Sequence, residues 1–359
     1  MFGASRIIKI GVRIAEWATP HVQKWHHERN LNRNEAQRHL QAGNFSEAEK
    51  YFQLALEEKQ HSTVDKLELR LGLAEAQRRQ SKLEDAERNA CLAVKIAVRD
   101  ENETMHSLAL DALANIQIDQ GLFAEAERTA QEVIRLEGTR AKPDHARLAS
   151  CSRRLGAALE KGGRLAEAVE ALKKAHGHAE KAFGAEHADT AGHLHELGQL
   201  QRQHGQHDAA QASLRKALAI HRTLGSKTPG PAGISPEATQ ALYNLAASLE
   251  ESGDLNGAAA EFEKMLTWRA RQVGADPGET ANAQLRLAGL YLRTSRIPQA
   301  RELLMQALPS LDRKGGPMLA QALEMLAGAE DRSGRGEQAR QYRERAQVAA
   351  AVHAAEAGQ

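Results

Sequence analysis

Apolar residues in this chain recur at spacings of three, four and seven, in long runs broken by short turns rich in glycine. Such spacing puts the apolar side chains on one face of a helix, so each turn is predicted to join two amphipathic helices. The turns are AGNFSEA at 42–48, QSKLEDA at 80–86, QGLFAEA at 120–126, GGRLAEA at 162–168, HGQHDAA at 204–210, SGDLNGA at 252–258, TSRIPQA at 294–300 and SGRGEQA at 333–339. Their second residues, Gly43, Ser81, Gly121, Gly163, Gly205, Gly253, Ser295 and Gly334, are 38, 40, 42, 42, 48, 42 and 39 residues apart. The long interval holds GSKTPGPAGISP at 225–236, a Pro/Gly loop that breaks the helical pattern.

Each of these anchors sits in a fixed frame. Seven residues before it, five after and twelve after, 22 of the 24 positions are Ala or Gly, where composition alone gives about six. Val133 and Met265 are the exceptions. Leu73, Leu113, Leu155, Leu197, Leu245, Leu287 and Leu326 stand eight residues before an anchor, and Phe52, Leu172, Leu214, Phe262 and Leu304 nine after. A single helix pair cannot bury such a stripe, so neighbouring pairs must stack.

Leu-Ala/Gly, an apolar residue, the turn, Ala, Phe/Leu and Ala in this order resemble the tetratricopeptide repeat (TPR). Segment 183–224 resembles the long-period variety found in kinesin light chains and many bacterial proteins, with a period nearer 42 than 34. The resemblance implies an all-α fold, a right-handed superhelical solenoid of about eight TPR helix pairs, used for protein binding. The expected organisation is a basic amphipathic segment at 1–28, the array at 29–348 and a tail at 349–359. Glu35, His39, Gly336 and Arg343 depart from the pattern in the first and last units, as suits ends that meet water.

Composition narrows the function. The 359 residues carry 48 Lys+Arg against 47 Asp+Glu, and only 4% are aromatic. That balance lacks the basic footprint and stacking platforms of a nucleic-acid binder. No apolar run approaches a membrane span, and Arg6, Lys9 and Arg13 interrupt any signal-peptide core. Cys91 and Cys151 are too few for a disulfide framework or a zinc site, so a reducing cytoplasm is the expected compartment, with membrane association as the alternative. No P-loop, G-x-G-x-x-G, H-E-x-x-H, G-x-S-x-G or C-x-x-C occurs, and neither an enzyme nor a cofactor is expected. His176, His178, His187, His193, His195, His204, His207 and His221 put half of the 16 histidines within 46 residues. His193 and His195 point to opposite sides of a helix and others fall at turns, so a polar surface is expected there and no metal site.

In TPR folds the first helix of each pair lines the inner groove, which the resemblance assigns to Arg33, Asn34, Gln37, Asp111, Asn115, Arg153, Arg154, His195, Gln199, Arg202, Tyr243, Asn244 and Arg286. Two readings stand: a trough for an extended peptide, with arginines facing solvent to meet acidic side chains, or the solvated face any solenoid presents. Ala157 and Ala247 occupy groove positions where a carboxylate clamp would need polar residues. Residues 1–33 carry six Lys+Arg against Glu16 and Glu28, with Ile7, Ile10, Ile14 and Trp17 at helical spacing before Pro20. That segment suits a cap on the first repeat, a protein dock, or contact with an anionic membrane surface through residues 1–20. The expected function is a non-enzymatic adaptor that holds a protein or peptide partner by its groove, its N-terminal helix or both. A membrane-surface assembly factor anchored by that helix is the alternative.

Overall fold

The structure is a computed structural model and describes residues 31–58, 61–227, 235–270 and 276–357. Among them are sixteen helices: α1 (Leu31–Gln41), α2 (Phe45–Glu57), α3 (Thr63–Arg79), α4 (Leu83–Arg99), α5 (Glu103–Asp119), α6 (Phe123–Gly138), α7 (His145–Lys161), α8 (Leu165–Phe183), α9 (Ala188–Gln203), α10 (His207–Lys227), α11 (Pro236–Glu251), α12 (Leu255–Arg269), α13 (Pro277–Arg293), α14 (Ile297–Lys314), α15 (Pro317–Arg332) and α16 (Gly336–Ala357). They form eight consecutive pairs, and no strand is present among the described residues. The chain divides into two compact units, Met1–Ala171 and Leu172–Gln359, with the division inside α8. α10 runs through Lys227 before the Pro/Gly loop, and α16 continues without a break across 349–357, which the sequence pattern set apart as a tail.

All eight anchors have positive φ, from 60° at Ser81 to 90° at Gly253. Each ends its helix with the same two bonds. The anchor N–H reaches the carbonyl three residues back, as Gly121 does to Ile118 at 3.0 Å, and the next N–H reaches five back, as Leu122 does to Gln117 at 2.8 Å. This left-handed cap satisfies carbonyls that the helix end would otherwise leave open. Glycine takes the conformation without a Cβ clash, which is why six anchors are Gly.

The small-residue frame marks where helices cross. All 22 of its positions that carry a Cβ are at most 2% exposed, and Gly156 and Gly198 are buried. A Cβ on Gly198 would lie 2.7 Å from Leu214 Cγ, and one on Gly72 would lie 2.3 Å from the Phe52 ring, so both large side chains fill space that glycine leaves. Buried amides cross-link the two helices of a pair at one repeated register. The Asn89 amide donates to Gln77 Oε1 at 3.0 Å, the Thr129 hydroxyl to Gln117 at 2.8 Å, and the Ser213 hydroxyl to Gln201 at 2.8 Å.

Within each unit, first helices also touch first helices: α1 with α3, α3 with α5 and α5 with α7 in one, α9 with α11 and α13 with α15 in the other. The first-helix layer is therefore the tighter side of each unit. Among the described residues no helix is long and apolar enough to cross a membrane.

Candidate partner-binding face

In the first unit the groove arginines are largely used inside the protein. Arg154 on α7 donates to Asn115 at 2.5 Å, to Ser150 at 3.0 Å and to Asp111, all on first helices, and its side chain is only 15% exposed. Arg33 on α1 holds Asp65 at 2.7 Å and Glu68. Arg153 is half-buried. The sequence-based expectation that these arginines face solvent is corrected for Arg154. Helical spacing gives a direction from its own helix, but α5 lies close enough for its carboxylate to meet the guanidinium before solvent does. The Asp111 oxygen also accepts from the Cys151 thiol at 3.2 Å, and burial, then that carboxylate, pushes the thiol pKa up.

The second unit presents a more open face. His195 on α9 accepts a 2.9 Å hydrogen bond from the Asn244 amide on α11, and Asn244 is 5% exposed, so this pair joins two first helices. Arg202 on α9 donates to Glu251 on α11 at 2.5 Å. Gln199 is exposed. Tyr243 packs edge-on against Phe262, with centroids 5.7 Å apart, and carries the Arg286 guanidinium 5.8 Å from its own ring centre. Arg286 also faces Glu250 at 3.7 Å, but Arg293 holds that carboxylate more closely, at 2.6 Å. Gln199, Tyr243 and Arg286 thus remain accessible on this face, while His195, Asn244 and Arg202 brace it.

The histidine-rich stretch does not gather into one site. His187 caps α9, its Nδ1 accepting from the Asp189 N–H at 3.2 Å, and His204 lies at the end of the same helix. Burial lowers the pKa of His176, His195 and His221, with the charge of His221 a second cause at His195. Among the described residues no three His, Cys, Asp or Glu side chains are placed to hold a metal ion. Ile7, Ile10, Ile14 and Trp17 lie outside the described residues.

Two fully buried carboxylates escaped the sequence reading. Glu137 is held by Arg140 at 3.0 Å and Arg147 at 3.1 Å, and Glu330 by Arg301 at 2.6 Å and by Arg335. Burial raises both carboxyls, but Ser107, Arg140 and Arg147 around Glu137, and Arg301 and Arg335 around Glu330, together outweigh it and hold both below the usual range. Glu330 occupies the register that carries Gln77, Gln117 and Gln201 in other pairs, and that repeated polar position was the signal that could have found it.

Comparison with known proteins agrees with this architecture. Tetratricopeptide repeat models match residues 148–223 and 237–313, and, in a second form, 33–101 and 112–182. No curated protein is similar enough in sequence to be named as a relative. Among solved structures, a STAND signal-transduction ATPase with a tetratricopeptide repeat sensor from Pyrococcus horikoshii is similar at 14% identity and TM-score 0.65, over 92% of this chain and 54% of that one. The apo form of RapI is similar at 14% identity and TM-score 0.62, over 96% and 94%. BtubC from P. vanneervenii is similar at 19% identity and TM-score 0.54, over 66% and 93%. With eight helix pairs, a repeated small-residue frame and matches to both forms of the repeat model, the chain belongs to the tetratricopeptide repeat family.

Proposed function

We propose that the chain is a non-enzymatic scaffold that holds a protein partner against the first-helix face of its second unit. The observation that carries this reading is the open cluster on α9, α11 and α13. There Arg286 is 41% exposed and weakly paired, Tyr243 offers a rigid ring with a polar tip, and Gln199 adds an exposed amide. Tyrosine and arginine in such a setting are the side chains that most often anchor a protein interface. Arg153, Arg154 and Arg202 support the reading less, because two of them are firmly paired within the array. The second attachment surface drawn from the sequence, the segment containing Ile7, Ile10, Ile14 and Trp17, enters as the competing outcome of the test.

Capture from the native host with mass spectrometry tests the proposal, comparing full-length protein, a Tyr243→Ala/Arg286→Ala variant and a chain lacking residues 1–28. The double variant is expected to keep its helical circular dichroism and lose the partner. Capture that survives the double substitution but is lost with residues 1–28 would sink the groove reading. Flotation of full-length protein with anionic vesicles, abolished by the same deletion, would move the function to a membrane surface.

A further inference from the structure

The first unit carries an open cleft on the edge where one helix pair passes into the next. Because successive helices alternate in direction, α1, α3 and α5 start and α2, α4 and α6 end on that edge. Around the turn from α4 to α5 the edge opens into a cleft of about 740 Å³, lined by Ala97, Val98 and Leu136 on its apolar side and by Asp100, Glu101 and Glu103 on its acidic side. Val98 is 54% exposed, and on the same edge Val64 and Leu31, at the starts of α3 and α1, are 41% and 51% exposed. Glu101 and Glu103 are exposed and make no ion pair among the described residues. The nearby arginines are already engaged, Arg140 by buried Glu137 at 3.0 Å and Arg99 by Asp100 at 3.2 Å. The cleft therefore joins uncovered apolar surface to surplus negative charge.

The chain itself holds a complementary element. Residues 1–20 carry Arg6, Lys9 and Arg13 against Glu16, with Ile7, Ile10, Ile14 and Trp17 at helical spacing. They lie outside the described residues, and the thirteen residues from Ala18 to Asn30 connect them to the start of α1. Thirteen residues reach about 43 Å at full extension. In this unit α1 touches α3 and α3 touches α5, so two interhelical steps of about 8–10 Å bring the start of α1 to the cleft. The open end of the first pair is a poorer seat. α3 turns Leu69, Leu73 and Ala76 against the pair before it, whereas α1 carries Leu31, Glu35 and Arg38 at the same register.

We propose that residues 7–17 pack as a helix into this cleft of their own molecule. Ile and Trp side chains cover Val98 and Leu136, and Lys9 and Arg13 meet Glu101 and Glu103. Tethering raises the segment's effective concentration to the millimolar range, so a contact too weak to form between molecules closes within one. The assignment does not depend on the exposed face of the second unit.

Amide hydrogen exchange of the full chain tests it. Residues 7–17 are expected to exchange roughly tenfold or more slowly than a free peptide, with protection that survives dilution. Glu101→Lys/Glu103→Lys changes exposed side chains only and should return residues 7–17 to free-peptide rates. Adding Lys9→Glu and Arg13→Glu to that variant should restore the protection, which a merely damaged cleft would not allow. Free-peptide rates in the wild type, or protection untouched by the cleft substitutions, would overturn the proposal. Protection lost on dilution would also overturn it, by placing the segment in the cleft of a second copy. If the cleft variant does not fold, carbodiimide crosslinking of the wild-type monomer decides. A link from Lys9 to Glu101 or Glu103 supports the assignment, and Lys9 linked only to other carboxylates, or to none, overturns it.

Discussion

Ser81 and Ser295 hold φ of 60° and 62°, the conformation that six glycines hold at the other anchors. A side chain in the left-handed region costs roughly 1–2 kcal/mol, and glycine gives back about 0.5–1 kcal/mol through its freer unfolded chain. Ser81→Gly and Ser295→Gly are therefore each expected to stabilise by about 0.5–1 kcal/mol, read from thermal or urea melts; lowered midpoints in both would show that the serine side chains contribute something the turn geometry does not reveal. Helical glycines divide the other way. Gly328 has nothing within 4 Å of where its Cβ would be, so Gly328→Ala should stabilise by about 0.5–1 kcal/mol, while Gly198→Ala drives a Cβ toward Leu214 and should cost about 1–3 kcal/mol. If Gly328→Ala destabilises instead, something other than internal packing occupies that space. The anchors were legible in the sequence because the backbone makes the same demand eight times. Arg154 was misjudged because its environment is set by Asp111 and Asn115 on another helix, whose distance no helical wheel contains.

At the scale of the helix pair, the small-residue frame is where the sequence speaks most plainly. Ala210 is fully buried, and its carbonyl oxygen would lie 3.2 Å from a Cβ at Gly198, so Ala210→Leu is expected to overpack the α9–α10 crossing by about 1–3 kcal/mol. Gln199→Ala on the exposed face should change stability within about 0.5 kcal/mol, and a comparable loss from both would mean the buried and exposed faces are misassigned. Glu137 makes a second prediction at this scale. Glu137→Gln leaves Arg140 and Arg147 without their carboxylate at the junction of α6 and α7, and breaking a buried pair costs about 3–5 kcal/mol; a melt unchanged by the substitution would show that the two arginines find other acceptors. These polar contacts were hard to read beforehand. Glutamine and glutamate are ordinary surface residues in a helix, and only the recurrence of Gln77, Gln117 and Gln201 at one register separates these from the rest.

Over the whole molecule, pH divides stability into two windows. His176, His195 and His221 have lowered pKa values because burial disfavours their charged forms, so the stability they hold is complete above the ordinary imidazole value and falls as pH drops below about 6.5. Glu137 and Glu330 are also lowered, so what they add is present above about pH 4.5 and is lost on further acidification. Urea midpoints should therefore fall in two separate stages as pH is reduced, and a single stage confined below about pH 4.5 would remove the histidines from the account. The helical caps described above have a further consequence, for the way the chain finds its structure. Every turn inside a helix pair is closed by bonds that reach back three and five residues, and the helix pairs within each unit pack in the order the chain supplies them. Low contact order of this kind leaves little loop-closure entropy to overcome, which places such a chain among the rapid folders and lets each unit begin to assemble while the rest is still being synthesised.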